Sequence, residues 1–280
     1  MATLSSLKKR LKSIRATGDM AKAMKTVATV KYNRTGRTLR NFEEYSDACL
    51  TALEIIGDRA FTRDCDVPDN RNCYVLMAAN RGFCGGFNSE LCKKFDEELK
   101  KETVPPILFA CGKKAQKYCT DRKLDAEFRE LSDVPAYEEA EKLTMELLEL
   151  YKTGKADNIY IISEKFVNMV NTSPAKWKIL PHEPLSSQQN TDVEPLFLPD
   201  RETVGNSPAL YSLVGRVYKI MLNHASSFHA ATLVAMKSAC DNADESAAKL
   251  ELKINRIRQS EVTNSVIETS SGMAMRYLEN

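Results

Sequence analysis

The chain has 280 residues, of which 43% are hydrophobic, and its 40 lysines and arginines nearly balance 38 aspartates and glutamates. These values are ordinary for a soluble protein and allow one large domain or two smaller ones. No stretch approaches the roughly 20 consecutive apolar residues of a membrane-spanning helix, and the first ten residues lack the apolar block of a signal peptide. Any association with a membrane is therefore expected to be indirect.

The positive charge is concentrated at the start of the chain. Residues 1–40 contain eleven lysines and arginines and one acidic residue, Asp19, a net charge of +10, whereas the remaining 240 residues hold 29 basic and 37 acidic residues, a net charge of −8. Three interpretations fit such a segment: a solvated helix face, a patch that binds nucleic acid, or a surface that meets an acidic protein. Composition leaves all three open.

Residues 3–56 contain no proline and predict one very long helix. Its apolar positions recur at spacings of three, four or seven residues, and they are Leu4, Leu7, Leu11, Ile14, Ala21 and Ala28. A second line, formed by Met20, Met24 and Val27, lies about one turn further on, as in a coiled coil with a stutter.

Residues 208–280 repeat this pattern, and no proline follows Pro208. Apolar residues at helical spacings run from Leu210 to Ala235, from Ala247 to Ile257 and from Val262 to Met273. Helices of such length without caps are typical of coiled coils. Neither helix can bury its stripe on a domain of this size, so the two ends of the chain are predicted to pack antiparallel.

Residues 57–207 hold nine of the ten prolines and predict a different structure. Short apolar runs alternate with helical patterns, in the order Cys73–Ala79, Asn88–Lys101, Ile107–Cys111, Ala136–Thr153 and Asn158–Ser163. Such alternation is typical of an α/β layer with a mainly parallel sheet. Residues 166–170 and 176–180 are predicted to form an antiparallel hairpin with Ser173–Pro174 between its strands, and residues 181–208 an irregular connection.

The predicted fold is therefore α/β: a long antiparallel coiled coil of the N- and C-terminal helices, plus a Rossmann-like α/β domain inserted between them. The predicted domains are residues 1–57, 58–207 and 208–280. The chain contains no internal repeat that would favour a solenoid instead.

The sequence contains no recognisable catalytic site. Asn80–Asn88 follows the first predicted strand, where a phosphate-binding loop would lie, but it matches neither GxGxxG nor GxxxxGK[ST], and a tight turn explains its glycines better. His182, His224 and His229 form no catalytic or metal set, and the eight cysteines stand singly, as expected of reduced thiols. No cofactor or metal is predicted, and a mechanical or interacting protein is favoured over an enzyme.

The final helix carries a more specific polar pattern within residues 250–264. Gln259 and Thr263 lie four residues apart on one face and adjoin Arg258. An arginine with neighbouring amide and hydroxyl groups suits carboxylates or backbone carbonyls of a partner. A solvated helix face fits the same residues.

Motifs at both ends and in the middle of the chain match one known family in order. They are LKSIR at Leu11–Arg15, AMKTVATVKY at Ala23–Tyr32, RGFCGGFN at Arg81–Asn88, DNA at Asp241–Ala243, NRIRQ at Asn255–Gln259, and the pairs Val262-Thr263, Ile267-Glu268 and Ser271-Gly272. With these motifs the chain resembles the gamma subunit of F-type ATP synthases. Residues 100–205 resemble that family only in their general sequence pattern and contain none of these motifs.

The resemblance implies a non-catalytic rotary subunit. In that family the terminal helices form a shaft inside a ring of three alpha and three beta subunits, and the central domain forms a foot with the delta/epsilon subunits on the membrane c-ring. The resemblance thus implies that the chain couples proton-driven ring rotation to conformational cycling of the catalytic beta subunits for ATP synthesis.

The resemblance also assigns contacts with the beta subunits. The residues are Arg258, Gln259, Thr263 and Met24 on the helices, and Arg81, Gly82, Cys84, Gly85 and Gly86 in the central loop. An acidic loop of the beta subunits would meet the basic residues of the shaft, which are Lys8, Lys9, Arg10, Lys12 and Arg15.

The start of the chain, Ala-Thr-Leu after Met1, favours a mitochondrial protein held on the matrix side of the inner membrane through its complex. The alternative is the cytoplasmic face of a bacterial plasma membrane. Two rival functions stay open, a nucleic-acid-binding α/β protein with a basic helical arm and a Rossmann-type enzyme. The first requires salt-dependent duplex binding and the second requires nucleotide binding by the isolated chain.

Overall fold

The computed structural model describes residues 4–56, 71–169, 171–181 and 201–278. Within these ranges its elements are α1 Leu4–Ile56, β1 Asn72–Met77, α2 Phe87–Leu99, β2 Ile107–Cys111, α3 Lys113–Asp121, β3 Ala126–Arg129, α4 Tyr137–Lys152, β4 Asn158–Phe166, β5 Thr172–Leu180 and α5 Arg201–Leu278. The chain divides into two compact units. We call Met1–Val27 with Ala235–Asn280 the helix-pair unit, and Ala28–Val234 the sheet unit.

The helix-pair unit is antiparallel, as its sequence predicts. Arg15 on α1 forms an ion pair with Glu251 on α5, and Lys22, further along α1, lies 3.8 Å from Asp244, earlier on α5. Residue numbers therefore fall along α5 as they rise along α1. The described helix α1 matches the helix predicted for residues 3–56.

Small residues line the contact between the two helices of this unit. A Cβ added at Gly18 would lie 3.2 Å from the Cβ of Ala243, and Ala21 is buried against Met236 and Cys240. Because these small side chains let the backbones approach closely, longer side chains on the flanks stay outside. The second apolar line predicted on α1 is accordingly wrong at its two ends, where Met20 and Val27 are more than half exposed.

The sheet unit contains a five-stranded sheet in the order β3-β2-β1-β4-β5. Its first four strands are parallel, with Val75 of β1 opposite Phe109 of β2 and Ile161 of β4. β5 is antiparallel to β4 and forms an edge. The prediction of a mainly parallel α/β layer is confirmed, and the continuous apolar sequence of β1 reflects burial on both faces.

Helices cover both faces of this sheet. On one face Val75 and Met77 pack with Leu147 of α4 and with Val217 and Met221 of α5. On the other face Tyr74 and Leu76 share a core with three residues of α2, which are Phe87, Leu91 and Phe95. The layered arrangement buries strands that would otherwise expose two apolar faces.

The structure corrects two local predictions. The hairpin turn falls between Phe166 and Thr172, so Ser173–Pro174 lies inside β5 and not between the strands. A proline lacks an N–H group and is tolerated there because β5 is an edge strand.

Helix α5 begins at Arg201, seven residues before Pro208, so residues 201–208 are helical and not an irregular connection. The rest of that connection, residues 182–200 with His182, lies outside the described ranges.

Glu98 on α2 is held by three lysines at the surface of the sheet unit. Its side chain is 6% exposed and lies 2.7 Å from Lys101 Nζ, 2.8 Å from Lys176 Nζ and 3.5 Å from Lys94 Nζ. Burial alone would raise the pKa of this carboxyl, but the hydrogen bonds from Lys101 and Lys176 outweigh it and lower the pKa to about 2.

We expect Glu98→Gln to destabilise the chain at pH 7 by about 1–3 kcal/mol, since hydrogen bonds to a charged group are lost. The folded-state pKa is depressed, so this stabilisation is present above pH 4.5 and disappears as the pH falls toward 2. Urea unfolding at pH 7, 5 and 3 measures the difference. Glu97→Gln, a neighbouring side chain that is 62% exposed, is the matched control, and an equal loss in both variants would contradict the prediction.

Candidate partner interface

The predicted basic residues line one end of the helix-pair unit. All five are exposed on α1, and they are Lys8, Lys9, Arg10, Lys12 and Arg15. Arg15 pairs with Glu251 across the unit. Within the described ranges the other four form no ion pair, so their charge is directed to solvent or to a partner.

The second predicted group lies on α5 of the same unit. It consists of Arg258, Gln259 and Thr263, and we call it the Arg258 group. All three residues are exposed. The Thr263 hydroxyl donates a hydrogen bond of 2.9 Å to the main-chain oxygen of Gln259. Its oxygen can still accept, while the Arg258 guanidinium and the Gln259 amide keep their donors available for carboxylates or carbonyls.

The register of the two helices brings these groups together. Arg15 contacts Glu251, and moving seven residues, or about two turns, along each helix in opposite sequence directions reaches Lys8 and Arg258. The basic stretch of α1 therefore lies opposite residues 251–258, and it adjoins the Arg258 group of α5 at Lys8. The sequence alone does not connect the basic residues of α1 with the Arg258 group, because they stand about 250 residues apart.

Met24 is not part of this arrangement. It is half-buried and packs against Ala21, Met236 and Cys240. Those α5 residues lie about 20 positions before Arg258, which corresponds to about 30 Å along a helix. The structure does not bring Met24 together with Arg258, Gln259 and Thr263.

From Arg258 to Ser271, helix α5 is exposed along its whole circumference. Every residue from Arg258 to Ser271 is exposed, including Val262, Val266 and Ile267, which are 56–63% exposed. From the Arg15–Glu251 pair, the first described residue of α1, Leu4, reaches only the level of about residue 262. A single helix that exposes valine and isoleucine is marginal in water, so this segment favours a partner that surrounds it.

The Gly-rich loop after β1 belongs to the sheet unit. Its Arg81 side chain is 68% exposed, and Phe83 is 61% exposed with a φ of 63°. Cys84 is instead buried, and Asn88 Nδ2 donates to its Sγ at 3.2 Å. Gly85 has a φ of 60° and allows the tight turn. The loop therefore presents Arg81 and Phe83 outward, and the Cys84 thiol, whose pKa is raised by burial, faces inward.

Helix α5 fills the place where a dinucleotide would bind at the carboxyl edge of such a sheet. Around Ala79, Asn80 and Asp133 only a cavity of about 10 Å³ is left, closed on its other side by His224 and Phe228 of α5. That volume holds about one water molecule. The described residues therefore leave little space for a nucleotide at this edge.

The two described histidines are buried in the sheet unit. Burial lowers the pKa of His224 to about 3 and also lowers that of His229. Among the described residues no three potential metal ligands lie together, and the seven cysteines in those ranges are free thiols. Across the same ranges, no helix combines the length and the apolar character needed to cross a bilayer.

Comparisons with known proteins agree with this architecture. The chain is 30% identical over 275 residues to the ATP synthase gamma chain of Symbiobacterium thermophilum, which covers 95% of this chain and 96% of that one. It is 31% identical over 279 residues to the ATP synthase gamma chain of Clostridium novyi, which covers 97% of each.

Solved structures share the fold. In the Euglena gracilis mitochondrial ATP synthase, one rotor chain gives a TM-score of 0.64 at 16% identity over 92% of this chain and 98% of that one. A chain of the OSCP/F1/c-ring assembly from the same organism gives 0.67 at 16% identity over 97% and 93%. A family model described as ATP synthase matches residues 3–275. This chain therefore belongs to the ATP synthase gamma chain family.

Proposed function

We propose that this chain is the rotating central shaft of a proton-translocating ATP synthase. It couples rotation of the c-ring to conformational cycling of the three catalytic beta subunits. The observation that carries the proposal is that the exposed cations of α1 and the Arg258 group of α5 adjoin in the helix-pair unit. A surface with unpaired positive charge suits acidic partner loops.

The shaft acts through its asymmetry. Its partners form three chemically identical sites, but the faces of α1 and α5 differ in charge and in side chains. Each angular position therefore makes different contacts with each site, and differential contacts shift the balance among open, loose and tight states. In this proposal the chain transmits rotation, and ATP chemistry belongs to the alpha and beta subunits.

The beta-subunit contacts are assigned to Arg258, Gln259 and Thr263 together with the basic residues of α1. Arg81 and its loop are assigned a separate contact, in which Arg81 and Phe83 are the exposed side chains. The central domain, residues 58–207, is assigned to the foot that meets the delta/epsilon subunits and the c-ring. Residues 1–57 and 208–280 are assigned to the shaft.

The organisms of the similar gamma chains bear on where in the cell this chain lies. The Symbiobacterium, Clostridium, Desulfitobacterium and Staphylococcus gamma chains, 27–31% identical, are all bacterial. They do not support the mitochondrial inner membrane expected from the start of the chain. We therefore assign the chain to the cytoplasmic face of a bacterial plasma membrane, peripheral to it through the complex.

Assembly tests the proposed function. The chain is mixed with alpha and beta subunits of the same organism and Mg-ATP, and the products are separated by size and weighed by mass photometry. We expect a complex of three alpha, three beta and one copy of this chain, with ATPase activity that the chain alone lacks. Failure to assemble, or nucleotide turnover by the isolated chain, would refute the rotor function.

Removing the hydrogen-bond donors of Arg258 and Gln259 should weaken the coupling between ATP hydrolysis and proton pumping. We expect the double substitution Arg258→Ala and Gln259→Ala to lower ATP-driven proton pumping by about tenfold, since truncating a central arginine contact costs 1–2 kcal/mol or more. Pumping is measured in vesicles that contain the whole complex. The control is Lys237→Ala, an exposed lysine on α5 about 20 residues from Arg258, and an equal loss in the control would contradict the assignment.

A further inference from the structure

Asp133 lies between β3 and α4 and contacts three other elements of the sheet unit. Its carboxylate accepts a hydrogen bond from Lys31 Nζ on α1, and Arg81, in the loop after β1, lies 4.0 Å from Oδ2. Its main-chain oxygen accepts a hydrogen bond of 2.7 Å from His229 Nε2 on α5. One residue of the α/β layer is thus tied to both long helices.

The Asp133–Lys31 contact is shielded from solvent, and the donor and acceptor roles in these contacts are fixed. The Asp133 side chain is 18% exposed and that of Lys31 is 29% exposed, so salt and water screen the pair less than a surface pair. Burial would raise the pKa of Asp133, but Lys31 and Arg81 outweigh it and lower that pKa. A carbonyl oxygen only accepts, so His229 Nε2 carries the hydrogen, and burial lowers the pKa of His229 and keeps the ring neutral.

The neighbouring contact between the layer and α5 contains a small cavity beside Asp133. Met221, Ala225 and Phe228 of α5 line it together with polar residues of the layer. Packed apolar side chains hold the layer against α5 but have no preferred direction. The directional hydrogen bonds of Asp133 add a restraint against sliding.

We propose that Asp133 is the positioning residue that fixes the angle of the α/β layer relative to α1 and α5, so that torque applied to the layer reaches both helices. The inference rests on the proposed rotor function and names the residue through which torque passes. Its bonds span 102 residues to Lys31 and 96 residues to His229. Asp133 therefore bonds both long helices to the layer, in addition to the apolar packing of the shared core.

The test is Asp133→Asn in the complete complex, with the catalytic head immobilised and a probe on the c-ring. Angular fluctuations of the probe during a catalytic pause report torsional stiffness. We expect their variance to rise about twofold as a charge-assisted contact is lost, while unloaded ATP hydrolysis changes little. A purely structural role would leave the variance of assembled complexes unchanged.

The matched control is Asp47→Asn. Asp47 lies 3.5 Å from Lys219 and links α1 to α5 without contacting the sheet, so its loss should leave the variance unchanged. Exchanging the charges, with Lys31→Asp and Asp133→Lys together, should restore most of the stiffness. If Asp133→Asn does not assemble, Lys31→Met removes the same pair from the helix side and is measured in the same way.

Two outcomes overturn the inference. One is an unchanged variance in the variant that assembles, and the other is an equal rise in Asp47→Asn. Failure of the parent chain to assemble or rotate would refute the rotor function itself. Normal rotation of parent and variant with equal stiffness would refute only the role of Asp133.

Discussion

Gly112→Ala is expected to destabilise the sheet unit by about 4 kcal/mol or more, or to prevent folding, because it combines backbone strain with a steric clash. Gly112 joins β2 to α3 with a φ of 91° and a ψ of 152°, a conformation open almost only to glycine. A Cβ at this position would lie 2.1 Å from the carbonyl oxygen of Ala78, well inside contact distance.

The backbone around Gly112 cannot move aside easily. Its N–H donates to Arg129 O of β3 at 3.1 Å, and Ala78 N donates to Cys111 O at 3.0 Å. Relieving the clash would therefore break main-chain bonds that join β1, β2 and β3.

Chemical unfolding of the parent and variant chains measures the loss. Gly82→Ala is the control, because a Cβ there meets nothing within 4 Å, and it should change the free energy of unfolding by less than about 1 kcal/mol. Equal unfolding midpoints for Gly112→Ala and the parent would show that the sheet edge adapts to the added methyl group.

The sequence predicts those elements whose pattern is long or strongly apolar. The two long helices follow from proline-free apolar periodicity, and β1, β2 and β4 follow from continuous apolar runs. By contrast, β3 is four half-exposed residues at an edge, and α3 buries only Ala115 and Cys119 of its nine residues. Neither element carries enough apolar signal to be recognised from the sequence.

The hairpin shows a competition between turn signals. Ser173–Pro174 predicts a turn, but the structure uses Asn168 and Asn171 instead. Asn171 N donates to the Asn168 side chain at 2.7 Å, and Asn168 N donates to Asn171 O at 3.2 Å. Asparagine side chains that bond nearby backbone groups favour turns, so this pair is the signal that the sequence prediction should have preferred.

The sequence nominates the residues of the candidate site but not their arrangement. It points separately to basic residues on α1 and to the Arg258 group. Their proximity depends on the register of two helices that pair across 236 residues, at Arg15 and Glu251. The role of Asp133 depends on burial and on partners distant in sequence, which no local pattern encodes.

Glu164→Gln is expected to stabilise the sheet unit at neutral and alkaline pH. Glu164 lies on β4 with no exposed surface, and neither carboxyl oxygen has a hydrogen-bond partner. Burial, with a smaller contribution from the charge of Glu90 on α2, raises its pKa to about 7. Thr172 on β5 offsets this rise only in part and makes no hydrogen bond of normal geometry to the carboxyl group.

The direction of the pH dependence follows from the raised pKa. Below pH 4.5 the carboxyl is protonated in both the folded and the unfolded chain, and ionisation costs nothing. Between pH 4.5 and 7 the unfolded chain loses the proton while the folded chain retains it, so stability falls as the pH rises. Above pH 7 the penalty is complete, and a pKa rise of this size corresponds to about 3 kcal/mol.

Glutamine keeps the shape of the protonated side chain and cannot ionise, so the variant should match the parent near pH 4.5 and exceed it by about 2–3 kcal/mol at pH 8. Urea unfolding of both chains at pH 4.5, 6 and 8 measures that difference, and other titrating groups cancel because both chains share them. Glu90→Gln, an exposed neighbour on α2, removes only the smaller repulsion and should gain less than about 1 kcal/mol. A difference between Glu164→Gln and the parent that does not vary with pH would mean that Glu164 is already ionised below pH 6, which requires water or a cation to reach a carboxylate that the fold encloses.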